Sequence, residues 1–370
     1  VYILHKGHIL AQGAPDTLCH YAQGRCYVVR PPESVPPRLI QAALIDKTEA
    51  VADAVPEGGV VRFSLTPKAS LEDLSLSGLP VTAVPARLED SFMGLLRQQE
   101  PPLPSHYSRP DVTAAKRTGT GRKIIEVRDI VRRFGDFIAV NHTSFSVYEG
   151  EIFGLLGPNG AGKSTTFRML CGLLPVSSGQ ISVAGVNLRT ARAQARAHIG
   201  YVAQKFSLYT TLSVEENLRF FGSAYGLHGR RLDQRIKAVI EEFDLSGFRH
   251  MPAGSLPGGY KQRLSMAVAL LHEPPILFLD EPTSGIDPLA RRLFWRQITD
   301  LSAKGTTIIV TTHFMEEAEY CDRIMIQDQG QLITIGTPSA IRKQGGSSPT
   351  MNDAFIHIVE SGRHHQEVSP

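Results

Sequence analysis

Residues 151–165 read EIFGLLGPNGAGKST. Ile152–Leu156 is an apolar run of the kind that forms a buried strand, and 166–170 continues as a helical run. Between them stands G-x-x-x-x-G-K-S. Glycines at 157, 160 and 162 let the backbone curl until successive N–H groups point at one anion, and the helix that follows adds its positive end. Lys163 reaches the β- and γ-phosphates of a nucleotide, and the Ser164 hydroxyl is a ligand for Mg²⁺. The predicted phosphate cradle is therefore Gly157, Pro158, Asn159, Gly160, Ala161, Gly162, Lys163, Ser164 and Thr165, and its cofactor is ATP with Mg²⁺.

A metal-bound triphosphate needs carboxylates, and PILFLDE at 275–281 supplies them. Four apolar residues form a central strand, with two acids at its C-terminal end, where ligands gather in open α/β sheets. Asp280 is the predicted partner of the metal through its water shell. Glu281, one residue on, is placed to polarise the water that attacks the γ-phosphate. Gln204 follows a predicted strand at 199–203, and His313 follows another at 306–312. Both then emerge at the same sheet edge, Gln204 as a further metal ligand and both beside Glu281 in the catalytic group.

The chain has 370 residues, 42% hydrophobic and 20% charged, with 39 basic against 36 acidic side chains. Such a chain can bury a core of about two domains. The charge balance argues against a nucleic-acid partner, whose binding draws on counterion release. No apolar run approaches the roughly 18 residues of a membrane span. Four scattered cysteines (Cys19, Cys26, Cys171, Cys321) make neither a disulfide framework nor a metal site and suit a reducing compartment.

An internal repeat organises the rest. VYILHKGHILAQGAPDTL (1–18) aligns without a gap to IMIQDQGQLITIGTPSAI (324–341), with Gly7 on Gly330, Gly13 on Gly336 and Pro15 on Pro338. Each reads as strand, turn, strand, then a helix opened by Gly-x-Pro. A second echo sets LEDSFM (88–93) against MNDAFI (351–356). With Val1 in place of a methionine, the expectation is that the chain opens inside the tail of a first unit (1–25) and contains all of a second. Residues 26–97 read as a small α+β appendage, with a strand at 27–29, a helix at 38–45, a hairpin arm at 60–65 and a short helix at 91–97. Thirteen of the 24 prolines precede residue 124, and 98–123 reads as a proline-rich linker. From Ile124 to residue 343, strands alternate with helices, the pattern of a largely parallel sheet. Residues 344–370 are read as a tail with a short helix.

Residues 124–343 resemble the ATP-binding domain of ABC transporters. Beside GPNGAGKST and ILFLDE stand LPGGYKQR (256–263), where that family writes LSGGQ, and SGID (284–287), similar to its D-loop. His313 matches its switch histidine, and Phe134 the aromatic ring stacked on adenine. The drug-export branch is the nearest likeness, especially bacterial subunits with two fused ATP-binding domains. The implied fold is an α/β P-loop NTPase of ABC-ATPase type: a mixed, largely parallel sheet with a helical subdomain. The implied function is the ATP-hydrolysing motor of an efflux transporter, cytoplasmic and peripheral on the inner face of the membrane.

The resemblance further implies head-to-tail pairing with a partner ATP-binding domain, in the same full-length chain or a second copy. Each ATP then lies between one phosphate loop and the partner's turn, here Pro257, Gly258 and Gly259, with Asp287 nearby. Pro257 stands where the family has serine and offers neither hydroxyl nor N–H. The implied pair is asymmetric, with a weaker site where this turn completes it. Phe206, Leu208 and Tyr209 form an apolar loop that either packs internally or, as the family implies, receives a helix of a transmembrane permease subunit. The alternative is a tandem ATPase acting on ribosomes, against which the short proline-broken linker counts. No N-K-x-D guanine signature and no coiled-coil insertion between Lys163 and Asp280 are present.

Overall fold

The continuous apolar runs around the phosphate loop become central strands buried on both faces, as expected for a parallel sheet covered by helices. A computed structural model describes residues 1–74, 76, 78–99, 121–346, 348 and 350–367. Most of the stretch read as a linker lies outside the described residues, as does the end of the tail. The chain divides into two compact units, residues 1–117 with 288–300, and residues 118–287 with 301–370.

The first unit opens with a hairpin, β1 (Tyr2–His5) and β2 (His8–Gln12), followed by α1 (Pro15–Cys19). Then come β3 (Cys26–Val29), α2 (Pro37–Ile45), β4 (Val51–Glu57), β5 (Val60–Leu65), β6 (Val81–Ala83) and α3 (Leu88–Gln99). The antiparallel sheet order is β4-β5-β3-β6. Val29, Ile40, Leu44, Val51 and Phe63 form its core. Helix α3 is longer at both ends than the segment read from sequence; at its start Asp90 accepts from the Arg87 amide at 2.7 Å and pairs with Arg62, fixing the first turn. Gln98 and Gln99 thus belong to this helix.

In the second unit, β7 (Lys123–Phe134), β8 (Phe137–Tyr148), β10 (Ser178–Val183) and β11 (Val186–Asn187) form an antiparallel sheet of order β11-β10-β7-β8. The six-stranded sheet has the order β12-β13-β14-β9-β15-β16. Its strands are β9 (Ile152–Leu156), β12 (Ile199–Val202), β13 (Ile276–Asp280), β14 (Thr307–Thr311), β15 (Arg323–Asp328) and β16 (Gln331–Gly336). The first five in that order are parallel, and β16 closes the edge antiparallel to β15. The separate antiparallel sheet was not distinguished in the sequence, because its alternating strands read like edge strands of a single sheet.

Helix α4 (Lys163–Leu170) shares one buried cluster with both sheets through Phe167, Met169 and Leu170. Three helices make a helical subdomain: α6 (Val214–Ala224), α7 (Gly229–Glu242) and α8 (Gly258–Leu270). The short α5 (Arg192–Arg196) precedes them; α9 (Pro288–Ala303), α10 (Pro338–Gln344) and α11 (Met351–Glu367) follow.

The repeat is reproduced in backbone detail. Lys6 and Gly7 turn with φ of 48° and 83°, and Gln329 and Gly330 with 47° and 78°. Both hairpins slip register at the aligned place, between Ile3 and Leu4 and between Ile326 and Gln327. A proline opens each following helix, and α3 and α11 begin at the aligned positions 88 and 351.

Candidate nucleotide-binding site

Four neighbouring parallel strands deliver the chemistry to one edge. The phosphate loop follows β9, Asp280 ends β13 with Glu281 next, His313 lies just past β14, and Gln204 just past β12. The loop is held from behind. A Cβ on Gly157 would lie 2.1 Å from the Gln327 carbonyl oxygen, and one on Gly162 only 2.5 Å from that of Ala139. Both glycines have positive φ, 152° and 97°. Close approach and left-handed backbone together exclude a side chain there. Gln327, fully buried on β15, accepts a hydrogen bond from the Thr166 hydroxyl at 3.2 Å, tying the first turn of α4 to the sheet.

Gly162 stands at the N-cap of α4 without a side-chain cap, so the first amides of the helix face the loop free of intrahelical acceptors. Lys163 is buried, and its Nζ donates to the carbonyls of Gly157 (2.7 Å) and Pro158 (2.9 Å). Burial lowers its pKa, while Glu281 and Asp280 act to raise it. Asn159, Gly160 and Ser164 are exposed at the mouth; Pro158 and Thr165 are half-buried, and Ala161 is buried. Free amides, a buried cation and an exposed hydroxyl form a donor set suited to a polyphosphate.

The acid pair is bound together by a residue that sequence reading missed. Thr311 pairs in register with Asp280 across β14 and β13. Its hydroxyl donates to Asp280 Oδ1 at 2.8 Å and accepts from the Glu281 amide at 3.0 Å. Burial pushes the Asp280 carboxyl up from its ordinary value, Thr311 lowers it, and Glu281 raises it further. Glu281 sits at φ 44°, a strained conformation for a side-chain-bearing residue. Its Oε2 accepts from Gln204 Nε2 at 2.8 Å and lies 3.2 Å from His313 Nδ1. The turn carrying His313 is pinned by Thr312, which donates to Glu317 at 2.7 Å and accepts from the Phe314 amide at 3.0 Å.

Gln204, Asp280, Glu281 and His313 are thus brought to one sheet edge with Lys163 and the phosphate loop. Phe134, Pro257, Gly258, Gly259, Asp287 and the loop 206–209 lie on other segments. Phe134 is 47% exposed, with the Arg132 guanidinium 4.4 Å from its ring. Pro257 is the N-cap of α8, and its carbonyl accepts from the amides of Tyr260 and Lys261, both at 3.0 Å. A Cβ on Gly258 would meet nothing within 4 Å, so this helix end is open to an incoming group. Asp287 lies directly before α9. The loop after Gln204 is anchored by Asn217, fully buried, which accepts from the Tyr209 amide at 3.0 Å and donates to the Tyr209 carbonyl at 2.9 Å. Phe206 and Leu208 are half-buried, whereas Tyr209 is 49% exposed and packs edge-on against the equally exposed Phe220, 4.9 Å away.

Among the described residues, no helix is long and apolar enough to cross a membrane. The family model described as ABC transporter matches residues 140–284. A probable multidrug ABC transporter ATP-binding protein of Escherichia coli (strain K12), YbhF, is 44% identical over 97% of this chain. The chain spans 63% of the length of that relative. The linearmycin resistance ATP-binding protein LnrL of Bacillus subtilis (strain 168) is 39% identical over 66% of this chain and 82% of its own length. A Nod factor export ATP-binding protein of Burkholderia lata is 44% identical over 59% of this chain and 72% of its own. Among solved structures, an ATP-binding subunit of an ABC transporter superposes with a TM-score of 0.59 at 31% identity, covering 64% of this chain and 99% of that one. The chain belongs to the ATP-binding proteins of ABC transporters, a family of ATPases.

Proposed function

We propose that this chain holds the tail of the first and all of the second ATP-binding domain of a tandem motor subunit that hydrolyses ATP for an efflux transporter. The observation that carries the reading is Glu281, held by Gln204 and His313 beside Asp280 at the edge where Lys163 and the open amides of α4 wait. Relatives named for multidrug transport, linearmycin resistance and Nod factor export support the export direction. None of these acts in translation by name, so the ribosome-directed alternative finds no support among them. The matched turns, register slips and helix starts of the two hairpins support duplication of the domain.

Nucleotide phosphates are held by the amides of residues 157–165 and by Lys163, which exchanges its bonds to the Gly157 and Pro158 carbonyls for phosphate oxygens. Ser164, Asp280 and Gln204 are the residues that would hold Mg²⁺; Gln204 uses its amide nitrogen on Glu281, leaving its carbonyl oxygen for the ion. Mg²⁺ supplies charge neutralisation of the phosphate oxygens when bound. Glu281 orients and polarises the attacking water, and His313 and Gln204 fix its carboxylate through Oε2. Phe134 stacks on the base. Pro257, Gly258, Gly259 and Asp287 serve the partner domain's site. Tyr209, with Phe206 and Leu208, meets the permease, placing the protein on the inner face of the membrane.

The test is calorimetry and turnover on the full chain and two variants. MgATP should bind the unmodified chain and Glu281→Gln, and binding should disappear in Lys163→Ala. Hydrolysis should be lost in Glu281→Gln. Absence of MgATP binding by the folded unmodified chain would overturn the reading.

A further inference from the structure

The first unit has a partly open cavity of about 300 Å³ between β4, β5, α3 and the turn after α1. This is the lower end of the range for small-molecule sites, about 300–1,000 Å³. Three features of its wall point to a ligand.

Arg97, on α3, lines it. Its Nε donates to the Ala52 carbonyl at 3.2 Å, but Nη1 and Nη2 are buried without a hydrogen-bond partner among the described residues. Burial disfavours the charge on this guanidinium, and the favourable field comes from Asp53. The Asp53 carboxylate is already held by Arg292, at 3.1 and 3.3 Å. A guanidinium with two free nitrogens on one fork is matched by a planar two-oxygen acceptor.

Ser64, on β5, is 2% exposed, lines the same cavity, and its hydroxyl also lacks a partner among the described residues. Buried polar atoms in native proteins are nearly always satisfied, so orphans on one cavity wall call for a shared partner. The acid on that wall, Asp90, is engaged by Arg62 at 3.1 Å and 2.5 Å, which leaves Arg25 and Arg97 to give the lining a cationic character.

Gly94 stands in the interior of α3, where glycine weakens a helix relative to alanine. Its φ is ordinary, and a Cβ there would meet nothing within 4 Å. Neither backbone conformation nor close packing requires glycine; what it leaves is room beside Arg97. Leu65 and Leu95 add apolar surface to the lining.

We propose that this cavity binds a small organic carboxylate, its oxygens accepting from Arg97 and Ser64 and its hydrocarbon part lying against Leu65 and Leu95. The test uses the full chain, with benzoate followed by saturation-transfer NMR and acetate as competitor. A saturable benzoate signal is expected, displaced by acetate and weakened about tenfold or more, some 1.4 kcal/mol, in Arg97→Gln and in Gly94→Leu. MgATP affinity should be the same in all three proteins, which separates this site from the nucleotide site. Should Arg97→Gln not fold, Gly94→Leu still decides, since its side chain enters open space. No saturable signal, or undiminished binding in Gly94→Leu, overturns the proposal. Displacement by inorganic phosphate at concentrations well below those of acetate overturns the carboxylate assignment.

Discussion

The Thr311 hydroxyl stands between the two acids, donating to Asp280 Oδ1 at 2.8 Å and receiving the Glu281 amide at 3.0 Å. It is 1% exposed, so water cannot take its place. Thr311→Val keeps the strand-forming shape and removes both bonds. A lost hydrogen bond to a charged group costs about 1.5–3 kcal/mol, so turnover should fall roughly ten- to a hundredfold. Thr311→Ser should restore most of it. Comparing turnover and MgATP affinity in the two variants checks this, with the loss expected chiefly in turnover.

Substitution of the cradle glycines should act through the backbone. In Gly162→Ala the new methyl would stand 2.5 Å from the Ala139 carbonyl oxygen, at a φ of 97° that costs a side chain about 1–2 kcal/mol. The loop must shift, and its amides lose their common focus. MgATP affinity by calorimetry should drop about tenfold or more. Gly160→Ala, whose Cβ would meet nothing within 4 Å, has only its φ of 83° to accommodate and should lose less.

These two groups of residues differ in how plainly they are written in the chain. The glycines, Lys163 and the 280–281 acids sit within short contiguous motifs, where residue type and spacing state the chemistry. Thr311 sits in TTIIVTT at 306–312, and threonine is common in any strand. Only the parallel register that sets it opposite Asp280 reveals its role. Gln327 supports α4 from far downstream in the chain, and Asn217 anchors the Tyr209 loop from the helix that follows. Both look like ordinary polar residues in amphipathic segments. The long strands of the antiparallel sheet were hidden in a similar way, because alternation fixes strand type but not sheet membership.

Asp280 should destabilise the fold at neutral pH. Burial raises its carboxyl pKa above the unfolded value of 3.8. The folded form therefore holds its proton to higher pH than the unfolded chain does. The stability this gives is complete below pH 3.8 and is lost as pH rises through the folded pKa. Above the folded pKa both states are ionised and the full penalty applies. Asp280→Asn should raise Tm at pH 7, by about 2–4 °C for each kcal/mol relieved, and the gain should shrink toward pH 4. Metal-dependent nucleotide binding should be lost in the same variant. Thermal melts across pH, set beside calorimetry with and without Mg²⁺, check both halves.

The proposed permease contact at the Tyr209 loop can be tested apart from the chemistry. Its backbone is fixed by Asn217, while the Tyr209 ring remains half in solvent beside Phe220. Tyr209 on this fixed loop and Phe220 on α6 make a half-exposed aromatic pair, the surface on which the proposed permease contact rests. Leu208→Ser with Tyr209→Ser should leave basal ATP turnover near its original value. Export measured in cells carrying the permease and the full-length protein should be strongly reduced.

Pro257 sets the last expectation. Its carbonyl caps the first turn of α8 by accepting from Tyr260 and Lys261, so the proline suits the fold as an N-cap even though it brings no donor. The amides of Gly258 and Gly259 remain, at a helix end that is open to an incoming group. Serine at 257 would keep the same carbonyl acceptor and add a hydroxyl and an N–H. Donors aimed at transferring phosphate contribute a few kcal/mol where water is excluded. On the proposed head-to-tail pairing, two copies of this chain present their 257–259 turns to each other, and turnover should be weak. Pro257→Ser should raise it about tenfold or more at saturating MgATP, with little change in stability. In the proposed full-length tandem protein the same substitution should add activity to one site of two, and Glu281→Gln should remove most of the activity before the substitution but a smaller share after it. Turnover measured for both backgrounds decides whether the two sites are unequal because of this turn.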